Sequence, residues 1–125
     1  MRLLLDTHAI LWWLASDRRL NADTREVIEQ PETDPVVSAA VIWEIETKRA
    51  AGRLKAPSGV LETVESMGIK LLPITAAHAV AAARLPSHHF DPFDRMLVAQ
   101  AQLEGLTLVT RDERLGAYDV PILPA

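Results

Sequence analysis

Short apolar runs alternate along this chain with longer segments that carry helix-start and helix-stop signals. The runs are too short for helices, so they predict five strands. These strands cover residues 3–6, 36–38, 69–72, 106–109 and 120–123. Capping residues, and the glycines or prolines that follow them, predict helices between the strands. These helices cover residues 8–15, 21–30, 38–51, 57–67, 75–85 and 91–105.

The predicted strands are continuously apolar and do not alternate between polar and apolar residues. That pattern is typical of a parallel sheet that helices cover on both faces. No internal repeat, low-complexity tract or linker interrupts the chain. We therefore predict an α/β fold: a single α/β/α domain over residues 1–125, with a central parallel sheet of about five strands flanked by helices. In such sheets, ligands bind outside the carboxyl ends of the strands.

Four carboxylates lie beside these apolar segments, where a charge is costly to bury. Asp6 closes the first strand, Glu44 interrupts an apolar stretch, Asp94 lies one turn into a helix, and Asp112 follows the fourth strand. Such a group needs something that offsets its charge. If the four converge in space, Mg²⁺ or Mn²⁺ would suit them, since both cations favour oxygen ligands. The sequence thus predicts a metal site for phosphate chemistry.

Each acid also has a purely structural explanation. Asp91 is expected to cap the N-terminus of the helix that starts at residue 92, and Asp94 could complement that helix dipole. Glu44 could pair with Lys48 four residues later on an exposed face, and Asp112 could cap a short turn. Because Asp94 and Glu44 share helix faces with apolar residues, we expect both side chains to point into the protein.

Composition narrows the class of protein further. The chain has 125 residues, 49% of them hydrophobic and 24% charged, which is ordinary for a soluble globular protein. It has no cysteine, so disulfides, thiolate zinc sites and a cysteine nucleophile are excluded. No signal peptide is visible, and the apolar stretch at residues 9–15 is too short to span a bilayer. We expect an untargeted, cytoplasmic protein with no membrane association.

The net charge of −4 is unusual for an enzyme that acts on nucleic acid. The four singled-out acids carry a charge equal to that whole excess, and two bound divalent cations would cancel it. The acidic balance therefore allows an RNA or DNA substrate. It argues against tight, nonspecific coating of nucleic acid.

Four segments together resemble the PIN-domain ribonucleases, and in particular the VapC-like toxins of type II toxin–antitoxin pairs. They are residues 3–8 (LLLDTH), 38–45 (SAAxxWEI), 91–101 (DPFDRMLVAQA) and 108–112 (LVTRD). They span nearly the whole chain, in order and at ordinary spacing. The resemblance implies a small α/β/α domain with an acidic pocket that binds Mg²⁺ or Mn²⁺. Carried over position by position, the metal-site and catalytic acids are Asp6, Glu44, Asp94 and Asp112.

The expected activity is metal-dependent hydrolysis of RNA phosphodiester bonds. Two cations about 4 Å apart can activate a water and stabilise the leaving oxygen. Neighbours of the acids have lesser expected roles, each with a structural alternative. Thr7 and Thr110 could orient carboxylates or water, while Arg95 and Arg111 could hold substrate phosphate or pair with an acid. The resemblance gives Asp91 no firm role, although it could support the metal-site acids or contact the substrate. We expect His88 and His89 to be solvated loop residues.

The first predicted helix carries more apolar surface than one stripe requires. We expect Leu11, Trp12 and Trp13 to contribute to a patch that another chain covers, with a fully buried helix as the alternative. By resemblance, the partners are a cognate antitoxin segment and a second toxin copy in a homodimer or larger assembly. Other readings of the strand-end acids remain: a non-catalytic partner in an antitoxin or DNA complex, an aspartate-based phosphatase, or a phosphoreceiver. The phosphatase would need an Asp where this chain has His8.

Overall fold

Five strands and six α-helices alternate along the chain, with one short 3₁₀ helix near its end. The structure is a computed structural model, and it describes all 125 residues. The strands are β1 (Arg2–Leu5), β2 (Asp34–Ser38), β3 (Lys70–Leu72), β4 (Thr107–Thr110) and β5 (Ile122–Pro124). The helices are α1 (Thr7–Leu14), α2 (Ala22–Glu29), α3 (Ala39–Ala50), α4 (Val60–Ser66), α5 (Ala76–Arg84) and α6 (Pro92–Glu104). The 3₁₀ helix is Glu113–Ala117.

All five strands form one parallel sheet in the order β3-β2-β1-β4-β5. The central strand β1 is in register with both neighbours, so that Leu4 lies beside Val36 of β2 and Leu108 of β4. Leu3, Leu4 and Leu5 are fully buried, which explains why this strand is apolar at successive positions. The predicted parallel α/β sheet of about five strands is confirmed.

Element boundaries differ from the prediction mainly where capping residues decide them. The predicted helix at residues 57–67 begins only at Val60, because Gly59 has a φ of +81°, which lies outside the helical region. Asp6 is not the last residue of β1 but the N-cap of α1. The 3₁₀ helix after Asp112 was expected only as a short turn. No helix of the chain combines the length and apolar character needed to cross a membrane.

The order of the strands determines where a site can form. The chain moves from β1 to β2 and β3 on one side of the sheet, then continues with β4 and β5 on the other side. The direction therefore reverses between β1 and β4, and the carboxyl ends of these two strands border a crevice. Asp6 follows β1 directly, and its backbone N–H donates to the carbonyl of Val109 in β4 at 3.1 Å.

A buried polar chain joins β2 to α6 beneath this crevice. The Ser38 hydroxyl donates to Gln100 Oε1 at 2.5 Å, and Gln100 Nε2 donates to the carbonyl of Pro73 at 3.3 Å. Gln100 is fully buried, and its amide also lies 3.3 Å from Nδ1 of the buried His78. These contacts fix the rotation of α6, the helix that carries Asp94.

We predict that Gln100→Leu lowers the free energy of unfolding by about 1–3 kcal/mol, because Ser38 and Pro73 lose their buried partner. The matched control is Gln102→Leu on the same helix, whose one hydrogen bond, to the carbonyl of Asp119, is exposed to solvent. The control is expected to change stability by less than about 0.5 kcal/mol. Urea unfolding of both variants gives the comparison, and equal stabilities would contradict this role for Gln100.

Candidate active site

The four predicted acids line one cavity at the carboxyl ends of β1 and β4. Its volume is about 410 Å³. Asp91 joins the other acids there, so the cavity has five carboxylates and three basic side chains. The full lining is Asp6, Thr7, His8, Trp12, Glu44, Lys48, Asp91, Asp94, Arg111, Asp112 and Arg114. The structure therefore brings together residues that are more than a hundred positions apart in sequence.

Asp6 is buried at the start of α1. Its Oδ1 accepts a hydrogen bond from the backbone N–H of Ala9 at 2.9 Å, so the residue caps the helix. Burial raises the pKa of the Asp6 carboxyl, although hydrogen bonds from the Thr110 hydroxyl and from Ala9 oppose that rise. The Thr110 oxygen also accepts the backbone N–H of Asp112 at 3.1 Å. Thr110 thus connects the two acids at the ends of β1 and β4.

Glu44 comes from α3, where Val41 and Ile45 are buried on the same side of the helix. The Glu44 side chain is accordingly buried, and the Thr7 hydroxyl donates to its Oε1. Its Oε2 pairs with Lys48 Nζ at 2.5 Å. The i,i+4 pair considered from sequence is therefore present. It lies inside the cavity wall and not on an exposed face.

Asp94 occupies the first turn of α6, which Asp91 caps by accepting the backbone N–H groups of Phe93 and Asp94 at 2.9 and 3.1 Å. Burial raises the pKa of the Asp94 carboxyl to about 6. A hydrogen bond from His89 opposes that rise, while repulsion from Asp91, Glu44 and Asp6 adds to it. The negative charge of Asp94 is therefore unfavourable in the folded protein.

Asp112 lies at the carboxyl end of β4 and is partly exposed. Its Oδ1 accepts the backbone N–H of Arg114 and caps the 3₁₀ helix. Its Oδ2 pairs with the Arg114 guanidinium at 2.8 Å, and hydrogen bonding to Arg114 lowers the pKa of the Asp112 carboxyl. Asp112 therefore caps a short turn, as one prediction had it, and also lies in the acidic cluster, as the other had it.

His89 is a site residue that the sequence reasoning missed. It was expected to be a solvated loop residue like its neighbour His88, but only 7% of it is exposed. Its Nε2 lies 2.8 Å from Asp94 Oδ2 and 3.5 Å from Asp112 Oδ2, so the ring bridges two acids. Its backbone N–H donates to the Tyr118 hydroxyl at 3.0 Å. No local signal separates the two histidines, because that long-range contact decides which of them turns inward.

The two candidate phosphate-binding arginines have different positions. Arg95 lies outside the cavity, and its guanidinium donates to the carbonyls of Ala82, Leu85, Pro86 and His89 at 2.9–3.2 Å. Arg95 pairs with no acid, and its donors hold the loop before α6; a contact of Arg95 with substrate phosphate stays a prediction. Arg111 does line the cavity. Its guanidinium carbon lies 4.5 Å from the ring centroid of Trp12.

The expected apolar patch on α1 is not a continuous exposed surface. Trp12 is 9% exposed and belongs to the core, while Trp13 is half-buried and donates from Nε1 to Glu29 at 3.1 Å. Leu11 is also half-buried and lines, with Trp12, a separate cavity of about 500 Å³. Trp12 is therefore not part of an exposed patch, and the expected contact of α1 with another chain stays a prediction. Successive residues of a helix point about 100° apart, so Trp12 packs into the core while Leu11 and Trp13 stay half-buried.

The donor set suits a divalent cation. Asp94, Asp112 and His89 each present a ligand atom within 4.8 Å of the others. Asp6 and Glu44 add carboxylates to the wall of the same cavity. Burial is the main cause of the raised pKa of Asp6 and of Asp94, and repulsion from neighbouring carboxylates adds to both. The carboxylate oxygens suit Mg²⁺ or Mn²⁺, whereas an imidazole ligand is more typical of softer transition metals.

With this geometry in place, comparison with known proteins identifies the class. The PIN domain family model matches residues 3–121, and the chain belongs to that family. Over 122 residues it is 33% identical to Ribonuclease VapC22 from Mycobacterium tuberculosis (strain ATCC 25618 / H37Rv). That alignment covers 94% of this chain and 92% of the relative. The family resemblance noted in the sequence is confirmed.

Solved structures share the fold at lower identity. A chain of VapBC2 from Rickettsia felis, bound to a promoter DNA fragment, superposes with a TM-score of 0.72 at 13% identity. A chain of VapBC-5 from Mycobacterium tuberculosis gives 0.64 at 21% identity. Coverage is 99% of this chain and 98% of the solved chain in both cases. The agreement establishes the same α/β architecture across the full length.

We predict that Asp94→Asn stabilises the cation-free protein at neutral pH. The folded pKa of about 6 lies above the ordinary 3.8. The native state therefore keeps a proton that the unfolded chain releases, and Asp94 makes stability fall as the pH rises through that interval. Removing the charge should add about 1–2 kcal/mol at pH 7.

Thermal unfolding in EDTA, from pH 4 to pH 7, measures this difference. Excess Mn²⁺ should raise the Tm of the wild type more than that of Asp94→Asn, since the variant lacks one anionic ligand. The control is Asp34→Asn, an exposed acid at the start of β2, at the opposite end of the strands from the cavity. A variant less stable than the wild type in EDTA at pH 7 would contradict the account of Asp94.

Proposed function

We propose that this chain is a metal-dependent endoribonuclease that acts as the toxin of a toxin–antitoxin pair. The observation that carries the proposal is the convergence of Asp6, Glu44, Asp94 and Asp112 on one cavity at the switch point of the sheet. The relative with 33% identity is named a ribonuclease, which supports RNA as the substrate. A cytoplasmic location would be consistent with that substrate.

The four acids are proposed to hold Mg²⁺ or Mn²⁺. A bound divalent cation would supply an activated water and would offset charge on the phosphate and on the leaving oxygen. Thr110 would hold the Asp6 carboxyl in position, and Thr7 would do the same for Glu44. Lys48 pairs with Glu44, and Arg114 pairs with Asp112. A bound cation would replace these two basic side chains as the partner of each acid.

Arg111 is suited to hold the substrate phosphate at the rim of this cavity. Its Nε and Nη2 groups donate to the carbonyl of Ala125, and Nη2 also donates to the carbonyl of Arg19. These bonds, together with the Trp12 ring, fix the plane of the guanidinium. The remaining Nη1 group donates to no protein atom, so it can bind a phosphate oxygen.

The proposed partners follow from the complexes in which relatives occur. VapBC-5 is described as a member of the VapBC family of toxin–antitoxin systems, and its fold matches this chain over nearly its full length. We infer a cognate antitoxin for this chain, and a homodimer or larger toxin–antitoxin assembly. An antitoxin segment with a basic side chain would complement the acidic cavity and would block access to it.

The proposed activity is tested with purified, antitoxin-free protein and total RNA. We predict discrete fragments with Mg²⁺ or Mn²⁺, none with EDTA, and at least a hundredfold slower cleavage by Asp6→Asn, because a metal-binding carboxylate is lost. Asp34→Asn should cleave like the wild type, since this exposed acid lies at the opposite ends of the strands.

Circular dichroism confirms that each variant is folded before the rates are compared. Cleavage that persists in EDTA, or an Asp6→Asn protein as active as the wild type, would contradict the proposed metal-dependent mechanism. Transfer of phosphate to Asp6 from acetyl phosphate, without any RNA cleavage, would instead indicate phosphoreceiver chemistry.

A further inference from the structure

We propose that Trp43 and Phe93 form a platform on which an unpaired RNA base stacks beside the acidic cavity. The inference rests on the proposed ribonuclease function and adds a subsite for the substrate. It concerns how the enzyme recognises RNA that is single-stranded near the cleaved bond.

The platform is an exposed aromatic surface that the fold itself does not require. Trp43 is 61% exposed, although it lies in the middle of α3. Its ring packs edge-on against Phe93 of α6, with the centroids 5.0 Å apart and the planes at 68°. Phe93 is half-buried, so it fixes the position of the indole and leaves most of the Trp43 ring accessible.

Lys48 links the platform to the cavity, because it lines the cavity and lies beside the Phe93 ring. Trp43 precedes Glu44 and Phe93 precedes Asp94, so each aromatic residue lies next to a site acid. Consecutive helical side chains diverge by about 100°, which sends each acid inward and each ring to the rim. A nucleotide whose phosphate lies at the acids would therefore have its own or its neighbour's base within reach of the platform.

Lys48 connects the two surfaces electrostatically. Its Nζ lies 5.7 Å from the centroid of the Phe93 ring and pairs with Glu44 in the cavity wall. A cationic group between an aromatic surface and a phosphate site is the combination that binds single-stranded nucleic acid. A duplex would be excluded, because its bases are already stacked on one another.

The same indole also borders an apolar hollow of about 440 Å³, lined by Ile42, Leu61 and Leu71 among others. A protein partner could dock there, so a protein contact is the competing assignment for Trp43. The position of Lys48, which borders both the platform and the acidic cavity, favours RNA. An experiment that varies the RNA base and the indole together separates the two assignments.

The probe is a fluorescein-labelled single-stranded oligoribonucleotide that spans a cleavage site mapped with the wild-type protein. Binding is measured by fluorescence anisotropy with Mg²⁺ in the Asp6→Asn background, so that the RNA stays intact. We expect Trp43→Ala to weaken binding on the order of tenfold and Trp43→Phe to retain most of the affinity. Leu103→Ala removes another exposed apolar side chain, 52% exposed on α6, and should leave binding unchanged.

Two further RNAs each carry one abasic ribose next to the scissile bond, one on its 5′ side and the other on its 3′ side. On one side, the missing base should weaken binding when Trp43 is present and should have little further effect in Trp43→Ala. Such coupling is not expected from a merely structural role of the indole. The Tm of each variant is measured alongside to show that it is folded.

The inference is overturned if Trp43→Ala binds the RNA as tightly as its parent, or if the missing base weakens both proteins equally on both sides. Loss of affinity for the cognate antitoxin with unchanged RNA affinity would also overturn it and would assign Trp43 to a protein contact. If the wild type cleaves no RNA at all, the proposed function itself fails. If the wild type cleaves RNA but RNA binding does not depend on Trp43, only the inference about Trp43 fails.

Discussion

The main physical constraint on this structure is the mutual repulsion of five carboxylates in one cavity, of which only some have a cationic partner. The parallel sheet supplies the location, because β1 and β4 end side by side where the chain reverses direction. Helix N-termini supply part of the stabilisation: Asp6 caps α1, Asp91 caps α6, and Asp112 caps the 3₁₀ helix. Burial still raises the pKa of Asp6 and of Asp94, and the cavity has five carboxylates against three basic side chains, so a divalent cation could offset the remaining negative charge.

Basic side chains and a histidine partner the acids of this cluster. Lys48 pairs with Glu44, Arg114 pairs with Asp112, and His89 bridges Asp94 and Asp112. In the proposed enzyme, a bound cation would replace Lys48 and Arg114 as the partners of Glu44 and Asp112. The two basic side chains would then be free to contact an RNA phosphate at the rim. The acids and the basic groups around them therefore form one functional unit in the proposed enzyme.

The sequence predicted the parallel sheet and the inward position of the four acids from local patterns. Continuous apolar strands indicate burial on two faces, and Asp6 and Asp112 lie just beyond the carboxyl ends of two such strands. Glu44 and Asp94 share helix faces with buried apolar residues. Long-range packing decided the rest. His89 turns inward because Tyr118 holds its backbone, and Trp12 is buried against the core under Arg111. Arg95 adjoins Asp94 in sequence, yet its guanidinium points to the carbonyls of the preceding loop. None of these three outcomes leaves a local signature.

The central claim is that the convergent acids hold a divalent cation, and anomalous diffraction from crystals grown with Mn²⁺ tests it most directly. The account predicts an anomalous peak inside the cavity, at about 2.0–2.3 Å from carboxylate oxygens of at least two of Asp6, Glu44, Asp94 and Asp112. The Lys48 or Arg114 ion pair should be lengthened in the same crystal. A cavity that stays without a peak at saturating Mn²⁺, with both ion pairs intact, would contradict the account.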